Sequence, residues 1–234
     1  GCLVDLDAER EEGEACDEAV HTVQRGANVA LDKAVRQSGQ TYGVVANLPY
    51  YITGQFLRTW LETKFPPKFM VLMLQKEVAQ RIAARDGKES LLSISVKAYG
   101  EPKYIETIKR GSFYPIPNVD SAILLINNIS KEFFSGLYSA VTFPAHNHQG
   151  GFVTKITAEH NPGPIVNQEK EFFNILRAGF AHKRKFLIKN LESTLGRPAS
   201  GWKLQKAFEF CEISQKARAE DIKLEDWKCL VKRI

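Results

Sequence analysis

Apolar and polar positions repeat with two different periods along the chain. Leu3-Val4-Asp5-Leu6-Asp7, Tyr42-Gly43-Val44-Val45-Ala46 and Lys68-Phe69-Met70-Val71-Leu72-Met73-Leu74 are short aliphatic and β-branched runs with the length of buried strands. Gly54 to Lys64 and Gln75 to Arg85 instead place apolar residues three and four apart, the spacing that lines one face of a helix. This βαβα order predicts an α/β fold with a mostly parallel sheet. Tyr104 to Ile108 and Ala122 to Ile126 read as two more strands around a Pro-rich loop, an antiparallel pair, so the sheet is expected to be mixed.

Beyond Gln168 the strand signal disappears. Glu169 to Ala178, Phe180 to Leu195, Lys203 to Cys211 and Leu224 to Val231 all carry helical periodicity, which predicts a small all-helical C-terminal domain. Ser135 to Asn167 contains Pro144, Gly150, Gly151, Pro162, Gly163 and Pro164 and matches neither period, so it reads as an irregular insertion. The expected organisation is residues 1–130 as the sheet domain, 131–167 as insertion or linker, and 168–234 as the helical domain.

Composition narrows the classes. The 234 residues are 44% apolar and 25% charged, which places the chain among folded globular proteins and away from disordered or collagen-like ones. No apolar run reaches the length of a membrane span, and acidic residues stand where a secretory signal would be basic and then apolar, so an intracellular, cytoplasmic protein is expected. Cys2, Cys16, Cys211 and Cys229 form no CxxC pair and lie far apart, which predicts reduced thiols with neither disulfide nor zinc. His146, His148 and His160 lack a Cys or carboxylate to complete a usual metal set, so no metal is expected.

The net charge of +5 is unevenly spread. Residues 1–20 hold eight carboxylates against Arg10 alone, whereas residues 168–234 hold 15 Lys and Arg against 9 Asp and Glu. The cluster Lys183-Arg184-Lys185 beside His182 has the character of a phosphate contact, with a solvated helix face as the plainer alternative.

The chemistry centres on Asn47-Leu48-Pro49-Tyr50, which follows the strand ending at Ala46 and so falls at the C-terminal edge of the sheet, where ligands bind in open α/β folds. An exocyclic nucleobase amine is a poor nucleophile because its lone pair is delocalised into the ring. Acceptors that hold both of its N–H bonds favour a pyramidal, reactive nitrogen, and the Asn47 side-chain oxygen with the Pro49 carbonyl can supply two. Tyr50 adds an aromatic face for the base, worth about 1–3 kcal/mol by the usual stacking figure.

The rest of the chain carries a resemblance. Asn47-Leu48-Pro49-Tyr50-Tyr51-Ile52-Thr53 is followed by Leu72-Met73-Leu74-Gln75-Lys76-Glu77-Val78-Ala79-Gln80-Arg81-Ile82, then Leu92-Ser93-Ile94-Ser95-Val96, Phe113-Tyr114-Pro115-Ile116-Pro117-Asn118-Val119-Asp120-Ser121-Ala122 and Phe180-Ala181-His182-Lys183-Arg184-Lys185. In this order the segments resemble the KsgA/RsmA-type small-subunit rRNA adenine N6,N6-dimethyltransferases, over roughly residues 42–130 and 168–234. The resemblance implies a Rossmann-like methyltransferase sheet, S-adenosylmethionine as methyl donor, and dimethylation of two adjacent adenines in a 3′-terminal hairpin of small-subunit rRNA, with a pre-30S-like particle as partner and a monomeric enzyme. It further implies that Asn47, Leu48, Pro49 and Tyr50 form the target-base motif and that Phe113 clamps the flipped base with Tyr50. Gln75, Lys76 and Glu77 take a supporting or RNA-facing role. Lys183, Arg184 and Lys185 fall where the family has its basic helix.

The donor side departs from that pattern. No GxGxG occurs in the sequence, and its usual place would lie upstream of Gly1, so the family's first strand and Gly-rich turn are expected to be missing. Asp5 stands where an acidic residue accepts the ribose hydroxyls. Ala27 replaces the Asp that reads the donor adenine, with Asn28 as the substitute. Asp5, Ala27, Asn28 and Asn47 are thus the expected donor-side positions, and weak donor binding by this chain is expected. Two alternatives stand beside the enzyme reading: a non-catalytic rRNA-binding relative, and a large-subunit rRNA methyltransferase of the macrolide-resistance type. The latter usually carries Ile at the position of Leu48 and lacks the Val119-Asp120-Ser121-Ala122 ending.

Overall fold

The computed structural model describes residues 3–5, 41–135, 137, 143–146, 152–155, 165–195 and 201–234. The chain divides into two compact units, residues 1–87 with 99–130, and residues 88–98 with 131–234.

The first unit is a five-stranded sheet. Its strands are β1 (Leu3–Asp5), β2 (Gly43–Asn47), β3 (Phe69–Gln75), β4 (Glu101–Ile108) and β5 (Ser121–Asn127), in spatial order β1-β2-β3-β5-β4. β1, β2 and β3 are parallel, and β5 runs antiparallel to both β3 and β4. The mixed sheet predicted from the two periods is therefore present, and each strand lies within three residues of its predicted run. Alternation explains the packing: Met70, Leu72 and Leu74 on β3 and Ala122, Leu124 and Ile126 on β5 are fully buried, while the residues between them are half-covered. Helix α1 (Thr53–Glu62) buries Phe56, Leu57, Trp60 and Leu61, and Tyr42 meets Trp60 edge to face. Helix α2 (Lys76–Ala83) follows β3 directly and ends at Ala84, whose left-handed backbone (φ 51°) closes the last turn onto the Arg81 carbonyl.

The second unit gathers α3 (Leu91–Lys97), α4 (Glu132–Ser135), a hairpin of β6 (Phe143–His146) and β7 (Phe152–Lys155), and the helices α5 (Ile165–Gly179), α6 (Leu187–Leu195), α7 (Gly201–Phe210) and α8 (Leu224–Val231). Residues 88–98 belong here because Glu89 N–H donates to the Glu220 carbonyl at 2.8 Å and Lys88 pairs with the Glu220 carboxylate at 2.9 Å. Ser90 caps α3 reciprocally with Ser93. Phe133, Phe134, Phe172 and Phe173 form a cluster of edge-to-face and tilted rings joining α4 to α5, and Phe180 stacks on the buried Trp227 at 5.7 Å.

Three expectations change. The stretch read as irregular contains the β6–β7 hairpin; four-residue strands are too short for alternation to stand out among prolines and glycines. Cys211 and Cys229 form a disulfide, Cα to Cα 5.9 Å, where free thiols were expected. The two are 18 residues apart, and they become neighbours only because the fold brings α8, which holds Cys229, back to Cys211 at the end of α7. Finally, Phe180 to Leu195 is not one helix: α5 ends at Gly179 and α6 begins at Leu187, with a turn between.

Candidate active site

Strand direction collects the chemistry on one edge of the sheet. β1, β2 and β3 all finish there, at Asp5, Asn47 and Gln75, while β4 ends and β5 begins there, with Ile108 opposite Ser121 and Ser121 opposite Gln75. Segments 47–53, 75–76 and 109–120 therefore all leave or enter the sheet at its C-terminal edge.

Asn47 is the last residue of β2 and is exposed. The ladder continues one bond further, Leu48 N–H to the Met73 carbonyl at 2.9 Å, and the buried Leu48 side chain anchors the chain at that point. Pro49 (φ −55°, ψ 134°) then turns the backbone into a 3-10 turn, Tyr50–Ile52, that runs into α1. Its carbonyl accepts from Ile52 N–H at 3.2 Å, leaving the second lone pair of that oxygen available. The Thr53 hydroxyl donates to the Tyr50 carbonyl at 3.3 Å.

Tyr50 is held at its far end: its hydroxyl shares a 3.0 Å hydrogen bond with Ser121 Oγ, and Ser121 is buried. The residue before it closes the neighbouring loop. Asp120 Oδ1 accepts from Arg110 N–H at 3.1 Å, Asp120 Oδ2 accepts from Lys76 Nζ at 3.5 Å, and the Asp120 carbonyl accepts from Lys76 N–H at 3.0 Å. The Arg110 backbone N–H, with a smaller contribution from the Lys76 ammonium, holds the Asp120 carboxyl below its ordinary value. A depressed carboxyl keeps its two side-chain bonds at neutral pH and loses them only as the pH falls through that lowered value. The segment from Arg110 to Asp120 is thus a closed loop, and it presents Phe113 half-buried with Tyr114 and Ile116 exposed.

Of the residues read from the sequence, Asn47, Leu48, Pro49, Tyr50 and Phe113 belong to segments that share this edge. Asp5 ends the adjacent parallel strand and pairs in register with Val45, two residues before Asn47. Ala27 and Asn28 lie outside the described residues. Lys183, Arg184 and Lys185 belong to the other unit, all exposed, in the turn between α5 and α6 rather than on a helix. That turn is built by two features. A Cβ on Gly179 would collide with Trp227 and Leu187, and the buried Asn190 amide donates to the Gly179 carbonyl at 2.7 Å and the His182 carbonyl at 3.0 Å. Asn190→Ala strands the buried Gly179 carbonyl and is expected to cost about 1–3 kcal/mol of stability. A denaturant titration measures it, and an unchanged midpoint would show that the amide does not hold the turn.

Sequence reasoning missed the Tyr50–Ser121 bond and the exposed Tyr51 and Tyr114. The signal for Ser121 was a lone hydroxyl opening an otherwise apolar strand, which carries weight only once β5 is known to run antiparallel beside β3.

A polar strand end and an aromatic turn at the C-terminal edge of a mixed, Rossmann-like sheet define an α/β protein of the type seen in rRNA methyltransferase structures. The crystal structure of 23S rRNA methyltransferase ErmE superposes with a TM-score of 0.56 at 17% identity, covering 83% of this chain and 65% of that one. A dimethyladenosine transferase from Plasmodium falciparum superposes at 0.54 and 20% identity, covering 82% of this chain and 66% of the other. At these identities the likeness is one of fold. The family profile described as Ribosomal RNA adenine dimethylase matches residues 20–143, more than half of the chain, and the protein belongs to that family. Similar relatives include ribosomal RNA small subunit methyltransferase A of Dehalococcoides mccartyi strain CBDB1, 36% identical over 81% of this chain and 54% of that protein. Those of Streptococcus sanguinis strain SK36 (36%, 80% and 55%) and Bacillus mycoides strain KBAB4 (34%, 83% and 57%) are similar too. The chain thus spans about half the length of the curated relatives it matches.

Proposed function

We propose that the protein is an S-adenosylmethionine-dependent enzyme that dimethylates N6 of two adjacent adenines in the 3′-terminal hairpin of small-subunit rRNA. The observation that carries this reading is the Asn47–Tyr50 turn at the strand end, braced through Ser121 to the loop that bears Phe113. An adenine amine facing it meets the Asn47 side-chain oxygen and the free lone pair of the Pro49 carbonyl, two acceptors for two N–H bonds. Tyr50 and Phe113 offer aromatic faces to a base extruded from its stack. The methylated amine is strongly acidic and needs no dedicated base before attack.

Toward the donor, the residues present fit in part. Asp5 and Asn47 stand on neighbouring parallel strands at the edge where such folds hold nucleosides, whereas the sequence contains no GxGxG turn. Asp5 would hold the ribose hydroxyls, Asn28 would take the place of the acidic residue absent at Ala27, and Asn47 would face the transferred group. When bound, the donor supplies a methyl group on a sulfonium.

The partner we propose is small-subunit rRNA in a pre-30S-like particle, met by a monomeric, cytoplasmic enzyme. Among the described residues, no helix is long and apolar enough to cross a membrane. The sheet unit would hold the adenine and the Lys183–Lys185 turn would contact phosphates. Replacing Lys183, Arg184 and Lys185 with Ala is expected to weaken binding of a small-subunit rRNA fragment and to reduce the slope of log affinity against log salt by about 2–3. An unchanged slope assigns the cluster to a merely solvated surface. The reading as a whole is tested by incubating the full-length protein with labelled donor and ribosomal particles lacking the modification. Dimethyladenosine in the small-subunit 3′ hairpin is the expected product, and label confined to large-subunit rRNA, or none, overturns it.

A further inference from the structure

Helix α7 is amphipathic in an unusual sense. It buries Leu204, Ala207 and Phe208, yet its outer face exposes two large aromatics, Trp202 at 57% and Phe210 at 62%. Trp202, Lys206 and Phe210 recur four residues apart and form one stripe, about 12 Å from end to end at 1.5 Å per residue. Cations accompany both rings. Lys206 Nζ lies 5.0 Å and Lys203 Nζ 6.0 Å from the centre of the Trp202 ring, and the Arg233 guanidinium carbon lies 3.7 Å from that of Phe210.

We propose that this stripe is a second RNA-binding surface, a platform on which unpaired bases stack against Trp202 and Phe210 while Lys203, Lys206 and Arg233 meet the adjoining phosphates. The inference rests on the reading of the protein as an rRNA-binding enzyme and extends it to a surface outside the target-base site. An apolar protein partner would have to strip water from several cations to reach the rings, at a cost its own surface does not repay. A single strand supplies what both groups lack: a π face for each ring and negative charge for each cation. The recess beside Phe210 is lined by Lys228, Lys232 and Arg233 with Glu225 as its carboxylate, so positive charge prevails there. The Cys211–Cys229 bond sits directly after Phe210 and joins α7 to α8, the helix that leads into Arg233, so the Phe210–Arg233 pair is braced before any ligand arrives.

The protein carries its own reporter. Of its three tryptophans, Trp60 and Trp227 are buried and Trp202 alone is exposed. Titrating the full chain with a 12-nucleotide oligo(A) should quench tryptophan emission and protect it from acrylamide, an uncharged quencher, whereas inorganic polyphosphate, which has the charge without the bases, should do neither. Trp202→Ala should weaken oligo(A) binding about 5- to 100-fold and leave polyphosphate binding unchanged. Lys203→Gln with Lys206→Gln should weaken both and flatten their salt dependence. Oligo(A) binding that leaves Trp202 emission untouched, or survives Trp202→Ala at full strength, overturns the proposal. Concentration-dependent self-association abolished by Trp202→Ala, with no oligo(A) quenching, would assign the face to protein contact instead. Methylation is a separate readout: its absence beside intact Trp202-dependent binding removes the enzymatic reading and not the platform.

Discussion

Asn47→Ala is expected to lower the rate of methyl transfer by about 10²- to 10³-fold while leaving the fold and most RNA affinity in place. The residue is exposed at the end of β2, and the ladder bond that ends the strand is made by Leu48 to Met73, so removing the Asn47 side chain breaks no packing. In the proposed reaction its side-chain oxygen would accept from the amine in the ground state and bind it more strongly as positive charge develops on nitrogen. The loss should therefore fall on kcat rather than KM, as it does when one preorganised polar group is removed from a site of developing charge. Asn47→Asp restores an acceptor but adds a charge and removes the amide donor, so partial activity is expected of it. Single-turnover methylation of pre-assembled small-subunit particles by the full-length protein decides the matter. An Asn47→Ala enzyme within about threefold of wild type would remove this strand end from the chemistry.

That site was legible in the sequence to the extent that it depends on strand order. A β-branched run ending in Asn-Leu-Pro-Tyr places the motif at a strand end, and βαβα alternation places that end on the ligand-binding edge. The bond from Tyr50 to Ser121 spans 71 positions and exists only because β5 inserts antiparallel between β3 and β4, a topological fact with no local signature. The same applies to Cys211 and Cys229, which no spacing rule pairs. Across the basic turn, Phe180, Leu187 and Leu191 kept helical spacing of seven and four, so periodicity continued where the backbone did not. The break is set by Gly179 meeting Trp227 and by one buried amide, Asn190, and both are tertiary causes. Residues 88–98 likewise lie in sequence between elements of the sheet unit, and join the helical one through Glu220, far along the chain.

Tyr50 is expected to separate stacking from positioning. Tyr50→Ala removes the aromatic face that, in the proposed site, would hold the base in both ground and transition states, worth about 1–3 kcal/mol, so KM should rise and kcat fall, with kcat/KM down about 5- to 150-fold. Tyr50→Phe keeps the ring and loses only the hydroxyl bond to Ser121. A bond of this kind contributes about 1 kcal/mol, so roughly a fivefold loss is expected, through a ring free to tilt out of register with the base. Ser121→Ala removes the other partner and should reproduce the Tyr50→Phe effect. The double substitution should add little to either one, because both break a single contact. Additive losses would mean that Ser121 acts through something other than Tyr50. A Tyr50→Ala enzyme with an unchanged KM would mean that the base is held elsewhere, and the exposed Tyr51 and Tyr114 on the same sheet edge would be the rings to replace next.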